Sequence, residues 1–177
     1  MPKPVLVIGG GPAGLEAARG IADLGYNAIL VDKADFLGGN PISESYAALT
    51  PDMRNAEEAM DEMVAAITDN PLVDVRMNTT VVGSDGQAPN LKVTLINGTV
   101  EEVIEVGSVI VSTGFQHFDP GKETQMYGYY EFDDVITLVD AEKMLKDGNF
   151  VRPSTGEKPD RVCFIQCVGS RDRQIGN

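Results

Sequence analysis

Tryptophan is absent from the 177 residues, histidine occurs once and cysteine twice. Two cysteines, Cys163 and Cys167, make no disulfide framework. Basic side chains are scarce too: 14 lysines and arginines stand against 27 aspartates and glutamates, a net charge of −13 with a pI near 4.3. Such a surface repels nucleic acid and anionic lipid alike, which argues against partners of either kind. No apolar run approaches the roughly 20 residues that a bilayer-spanning helix needs. The first apolar stretch is too short and too glycine-bounded for a secretory signal. These absences point to the cytoplasm, with a membrane complex in reach only through a partner. Apolar residues make up 42% of the chain, enough for a core, in a length that suits one domain or slightly more.

The most informative stretch is residues 4–33, PVLVIGGGPAGLEAARGIADLGYNAILVDK. Val5, Leu6, Val7 and Ile8 are apolar on both alternating faces, the pattern of a strand buried in a parallel sheet. Gly9, Gly11 and Gly14 follow at G-x-G-x-x-G spacing, and Pro12-Ala13-Gly14 opens a helix that Gly25 stops. A second apolar strand, 28–31, runs into Asp32. Each part has a task in holding a dinucleotide. Gly9 permits a tight turn, Gly11 leaves room for a pyrophosphate, and Gly14 lets helix and strand pack closely. The helix N-terminus offers N–H groups and the positive end of a dipole. Asp32, 18 residues beyond Gly14, is in position to accept hydrogen bonds from a ribose diol and disfavours a 2′-phosphate. The pattern predicts a dinucleotide-binding βαβ unit.

Beyond it, Gly38-Gly39 marks a turn where backbone passes close to a ligand or another loop. Thr50-Pro51 predicts the cap and first residue of a helix that Asn70-Pro71 ends. Met53, Ala56, Met60, Met63, Val64 and Ile67 form its core-facing stripe. Residues 73–77 predict a third strand. Strands 80–82, 91–96 and 100–106 predict an antiparallel meander, with hairpin chemistry at Asp85-Gly86 and Asn97-Gly98. Residues 109–111 return as a buried strand that ends in Ser112-Thr113-Gly114. Thr137 predicts the cap of a helix over 138–146, with Gly148 as its stop. Residues 148–160 read as a linker and 161–168 as a last apolar strand. The expected fold is α/β, a Rossmann-like parallel sheet with an inserted antiparallel three-stranded meander.

No catalytic constellation and no metal-ligand pattern is visible. His117 lies in the loop after S-T-G and reads as a loop-stabilising residue, because no partner for general-base work is identifiable. Cys163 and Cys167 fall on one face of the predicted last strand, about two pleats apart, too far for a relaxed disulfide. They read as buried structural thiols, the alternative being part of a site that a longer protein completes.

The βαβ unit, the meander and the strand ending in S-T-G resemble the FAD domain of two-dinucleotide-binding flavoproteins of the pyridine nucleotide-disulfide oxidoreductase type. That resemblance implies FAD as cofactor. Its pyrophosphate would lie on Gly9, Gly11, Pro12, Ala13 and Gly14, and its ribose at Asp32 with Lys33 alongside. The adenine would run by Val81-Val82, the ribityl or flavin end by Gly39-Asn40, and the far side of the cofactor by Thr113-Gly114.

A narrower resemblance rests on V-S-T-G-F (111–115), F-D-P (118–120), Y-G-Y (127–129), D-V-I-T (134–137), R-P-S (152–154) and F-I-Q-C-V-G-S-R-D (164–172). In that order these are similar to the A-type subunits of heterodisulfide reductases and proteins like them, including the flavin subunits of quinone-interacting membrane-bound oxidoreductase complexes. Three departures stand out. Residues 41–51 hold no cysteine cluster, Tyr130 stands where relatives often have glycine, and the chain stops before the cysteine-rich stretch that usually follows C-V-G-S-R-D. The resemblance implies an FAD-binding domain over 1–147, a linker over 148–160, and over 161–177 a strand and the start of a further segment. It implies part of an FAD-dependent oxidoreductase, inactive as this stretch alone, that passes electrons between flavin and iron–sulfur or quinone-linked partners. Two alternatives stay open. An NAD(P)H-dependent flavoprotein reductase of the thioredoxin-reductase type needs a second G-x-G-x-x-G unit, which these residues lack; a non-catalytic nucleotide-binding assembly module does not.

Overall fold

A strand with no polar face is stable only when covered on both sides; residues 5–8 and 28–31 are two such strands, and they pair in parallel with 73–76, which carries Asp74 and Arg76, and with 108–111. In the computed structural model, which describes residues 2–120 and 127–169, the elements run β1 (Val5–Ile8), α1 (Pro12–Asp23), β2 (Ala28–Val31), α2 (Asn40–Ser43), β3 (Ala48–Leu49), β4 (Arg54–Asn55), α3 (Ala56–Thr68) and β5 (Val73–Arg76). They continue with β6 (Thr79–Gln87), β7 (Asn90–Asn97), β8 (Val100–Val106), β9 (Ser108–Val111) and α4 (Leu138–Lys146). The chain divides into two compact units. One comprises residues 1–44 and 48–114, the other 45–47 and 115–177.

In the first unit the parallel sheet has the order β5-β2-β1-β9. Its register brings Ile8, Val31, Arg76 and Val111 level at the C-terminal ends of the strands. Leu6 and Val7 are neighbours in sequence, both fully buried, and belong to different cores. Val7 joins Leu15, Ala18, Leu30, Met60 and Ile67 beneath α1 and α3. Leu6 joins Val31, Val93, Leu95, Ile104 and Val106 beneath the antiparallel sheet β6-β7-β8. Parallel sheet and meander are thus as the sequence predicts, except that the strand over 109–111 is not buried: Ile110 and Val111 are exposed.

Two boundaries differ. The third helix begins at Ala56, not Pro51, because Arg54-Asn55 is paired with Ala48-Leu49 and the Asn55 side chain accepts from the N–H groups of Glu57 and Glu58. Met53 is therefore outside the helix and 69% exposed, while Met60, Ala56 and Ile67 of the same stripe are buried. Asp85-Gly86 lies inside a ladder, opposite Lys92 and Leu91, so β6 turns only after Gln87. Asn97-Gly98 does make the turn between β7 and β8.

The second unit is built differently. Thr137 and Asp140 make a reciprocal capping box at the start of α4. Asp134 accepts from the Ser154 N–H and hydroxyl and from the Arg152 guanidinium, which fixes the loop around 152–157. The Ser154 N–H first, then Arg152, lower the Asp134 carboxyl to a pKa of about 2. The predicted strand over 161–168 makes no ladder: among the described residues it has no neighbouring strand to pair with, and Val162, Phe164 and Ile165 are at least half exposed. Cys163 and Cys167 are exposed, which overturns the expectation of buried thiols. Among the described residues no helix is long and apolar enough to cross a membrane.

Candidate dinucleotide-binding site

The level C-terminal ends of β1, β2 and β9 form a crest, and the segments that leave it lock together. Gly9 donates its N–H to the Val31 carbonyl at 2.8 Å, tying the loop after β1 to the end of β2. Its φ of +110° excludes side chains. A Cβ on Gly9 would also overlap the Ser112 carbonyl. The Ser112 hydroxyl donates to the Ile8 carbonyl at 3.0 Å and reaches the Gly9 carbonyl at 3.3 Å, closing the other flank from β9. Thr113 follows immediately, its Cα 3.2 Å from where a Gly9 Cβ would stand. Gly14, inside α1, is buried against Gly9: a Cβ there would overlap the Gly9 carbonyl oxygen.

Gly11 differs from its two partners. A Cβ on it would meet only the Gly39 Cα, at 3.7 Å, which is ordinary contact. The fold requires glycine at 9 and 14; at 11 it leaves open space above the loop. Gly11 is also the cap of α1, and no side chain caps that helix. Pro12 has no N–H, so the N–H groups of Ala13 and Gly14 begin the helix without intrahelical acceptors. Space, free donors and the positive end of a twelve-residue helix coincide here, which is what an anionic pyrophosphate requires.

Asp32 leaves β2 beside this loop. Its Oδ2 accepts from the Gly10 N–H at 2.5 Å and its Oδ1 from the Ala34 N–H at 2.8 Å. Each carboxylate oxygen keeps a lone pair for a hydroxyl, so the side chain is both oriented and able to accept a diol. Lys33, next in sequence, is exposed. The Gly38-Gly39 turn docks on the same loop: Gly38 donates to the Gly10 carbonyl at 2.8 Å, and a Cβ on Gly39 would stand 2.8 Å from the Gly11 Cα. Of the two partners the sequence left open for this turn, the other loop is the one observed. Asn40 starts α2 directly after it.

Val82 lies in β6 where the register shifts: Val81 faces Leu95 and Gly83 faces Thr94, so Val82 has no residue opposite. The bulge leaves its backbone outside the regular pairing, with the residue 54% exposed. Thr113 and Gly114 are exposed at the end of β9. The structure thus gathers Gly9, Gly11, Pro12, Ala13, Gly14, Asp32, Gly39 and Thr113 around one loop. Gly10, Leu37 and Ser112 belong with them, and sequence reasoning missed all three. The triple glycine at 9–11 was the available signal for Gly10, and the serine of S-T-G for Ser112.

Other chemistry lies elsewhere. A cavity of about 370 Å³ between β5 and the meander is lined by Arg76, Met77, Thr79, Asn97, Val100 and Glu102 among others, none of them in the loop. Arg76 is held there by Asp74 and Glu102. In the second unit His117 Nε2 lies 2.7 Å from the Tyr46 hydroxyl, and its ring meets Phe115 edge-on. That is the loop-stabilising role expected of it. No group of three or more potential metal ligands occurs among the described residues.

Comparisons with known proteins bear on the family and the fold. The family model "Pyridine nucleotide-disulphide oxidoreductase" matches residues 3–148. The A-type subunit of the H(2):CoB-CoM heterodisulfide,ferredoxin reductase of Methanothermobacter thermautotrophicus is 50% identical over 82 residues, 43% of this chain and 12% of that protein. The A-type iron-sulfur subunit of the CoB–CoM heterodisulfide reductase of Methanocaldococcus jannaschii is 25% identical over 255 positions, covering 98% of this chain and 38% of that one. The chain therefore spans well under half the length of these relatives. The second alignment is longer than the chain itself, so the relative carries internal sequence that is absent here. Among solved structures, L-proline dehydrogenase from P. horikoshii superposes with a TM-score of 0.56 at 23% identity, over 63% of this chain and 22% of that one. The flavin-dependent monooxygenase PieE, solved with FAD and substrate, gives 0.51 at 15% identity, over 63% and 30%. These likenesses are of fold.

Proposed function

Because the chain belongs to the pyridine nucleotide-disulphide oxidoreductase family, we propose that it is the FAD-binding part of an electron-transfer oxidoreductase. The observation that carries the reading is Gly11, the one glycine of the motif that packing does not demand, set over the uncapped N-terminus of α1. Gly9, Gly11, Pro12, Ala13 and Gly14 would hold the pyrophosphate, Asp32 with Lys33 beside it would bind the adenosine ribose, and the backbone at Val82 would meet the adenine. Gly39 and Asn40 border the cofactor on the α2 side, with Thr113 and Gly114 on the β9 side. FAD supplies one- and two-electron chemistry when bound. The protein's residues bind and orient it: the helix end offsets the pyrophosphate charge, and Asp32 selects an unphosphorylated ribose.

The flavin held there would exchange electrons with iron–sulfur partners, a reading supported by the relatives' names as iron-sulfur and ferredoxin reductase subunits. Residues 1–147 serve as the cofactor domain, 148–160 as a connection, and 161–177 as the start of a further segment. The test is a titration of the chain with FAD, followed by flavin fluorescence, with ADP and FMN as competitors. The Gly9 loop, Asp32 and Val82 address the ADP half, so ADP competes more strongly than FMN. Competition by FMN alone would remove the assignment of the Gly9 loop.

A further inference from the structure

Ser112 is 103 residues from Gly9 in sequence, yet it meets the glycine loop where that loop is tightest. Its backbone N–H donates to the Ile8 carbonyl at 2.8 Å, so that carbonyl already has a partner. Its hydroxyl reaches the same carbonyl at 3.0 Å and the Gly9 carbonyl at 3.3 Å. Among the described residues no backbone N–H donates to the Gly9 carbonyl. The peptide joining Gly9 to Gly10 is trans, so its carbonyl and its N–H point in opposite directions. The carbonyl meets Ser112, and the N–H donates to Asp32 Oδ2 at 2.5 Å. Gly10 is buried, so its N–H depends on a protein acceptor. A hydroxyl from the end of β9 and a carboxylate from the end of β2 thus grip one peptide plane from opposite sides. Hydrogen bonds in such a chain polarise one another, and donation to the Gly9 carbonyl makes the Gly10 N–H a better donor.

We propose that Ser112 is a positioning residue for the ribose-binding carboxylate. Its hydroxyl fixes the tilt of the Gly9–Gly10 peptide, the Gly10 N–H follows, and Asp32 is held with its remaining lone pairs free for the ribose hydroxyls. The inference rests on the reading of Asp32 as the ribose acceptor. It adds that the aim of this acceptor is set from β9, which flanks β1 on the side away from β2.

The test uses Ser112→Ala and Ser112→Thr in the whole chain, with ADP and 2′,3′-dideoxy-ADP as ligands. Alanine removes one oxygen, adds no atom and keeps the backbone bond to Ile8, so the pairing of β1 with β9 persists. The parent prefers ADP roughly 10- to 100-fold, the worth of hydrogen bonds to a charged group. In Ser112→Ala that preference falls by about 3- to 10-fold, the worth of one neutral hydrogen bond, while Ser112→Thr keeps it. A purely structural hydroxyl would weaken both ligands equally and leave the ratio alone. Without ligand, the Gly10 amide exchanges faster in Ser112→Ala than in the parent, while the Gly9 amide, bonded to Val31, keeps its protection. A ratio unchanged in Ser112→Ala, or lost in Ser112→Thr as well, overturns the proposal, and so does Gly10 exchange equal to the parent's. A parent that shows no preference for ADP removes Asp32 from the ribose, and the proposal falls with that reading.

Discussion

Gly11→Ala and Gly14→Ala change the same motif by the same methyl group, yet they have opposite consequences. At Gly11 the backbone is extended, with φ −79° and ψ −177°, which alanine adopts freely. The new methyl meets only Gly39 Cα at 3.7 Å. Two small terms oppose each other. Alanine restricts the unfolded chain, stabilising by about 0.4–1 kcal/mol, and it is a poorer helix cap than glycine, costing about 0.5–1.5 kcal/mol. Net stability changes by less than about 1 kcal/mol. In the proposed binding mode the methyl stands where the pyrophosphate approaches, and an overpacked contact of about 1–3 kcal/mol weakens FAD roughly 5- to 150-fold. At Gly14 the methyl overlaps the Gly9 carbonyl and comes within 2.9 Å of the Ser112 hydroxyl, so β1, α1 and β9 must all shift. That costs about 1–3 kcal/mol before any ligand is present, lowering Tm by roughly 2–12 °C. Thermal unfolding of the ligand-free variants and an FAD titration separate the two effects. If Gly11→Ala bound FAD like the parent, or destabilised the protein as much as Gly14→Ala, the division of labour within the motif would be refuted.

Three further outcomes are expected. Asp32→Ala removes the acceptor for the ribose and frees the Gly10 N–H, weakening FAD and ADP by a similar 10- to 100-fold factor, the roughly 1.5–3 kcal/mol of hydrogen bonds to a charged group; isothermal titration with each ligand measures it. Asp134 has a folded pKa of about 2, below its ordinary 3.8, so its stabilising contribution is complete above about 3.8 and is lost as pH falls through about 2. Amide exchange of the loop around 152–157 should therefore accelerate in that window, and Asp134→Asn should abolish the dependence. Thr137→Ala breaks the capping box and should lower the protection of α4 amides by about 1 kcal/mol, read by hydrogen exchange.

The parallel sheet and its ligand edge were legible because their residues satisfy several demands at once. Val5 to Ile8 had to be covered on both faces, and the glycines that follow had to turn, approach and pack. The meander was legible from its alternation and from Asn97-Gly98, whose turn chemistry is local. Asp85-Gly86 carries the same chemistry but is overridden by pairing with Leu91 and Lys92. The start of α3 was missed for a similar reason, since Pro51 is a good first helical residue only where no strand pairing competes, and Arg54-Asn55 is taken by Ala48-Leu49. Residues 161–168 are apolar enough for a strand, yet a strand needs a neighbour, and sequence pattern alone does not provide one. The Tyr46 partner of His117 is 71 residues away in sequence, beyond any local signal. Gly38-Gly39 was recognised as a close approach, but its partner, Gly10-Gly11, is apparent only in three dimensions.

We propose that the Gly9–Gly14 loop and Asp32 hold FAD. The most direct measurement is the visible absorption spectrum of the purified chain, before and after addition of FAD and gel filtration, with released cofactor identified after denaturation. Flavin bands that comigrate with the protein, and FAD in the denatured supernatant, are expected. A colourless chain that takes up no added FAD, yet binds NAD or ADP-ribose, would contradict it.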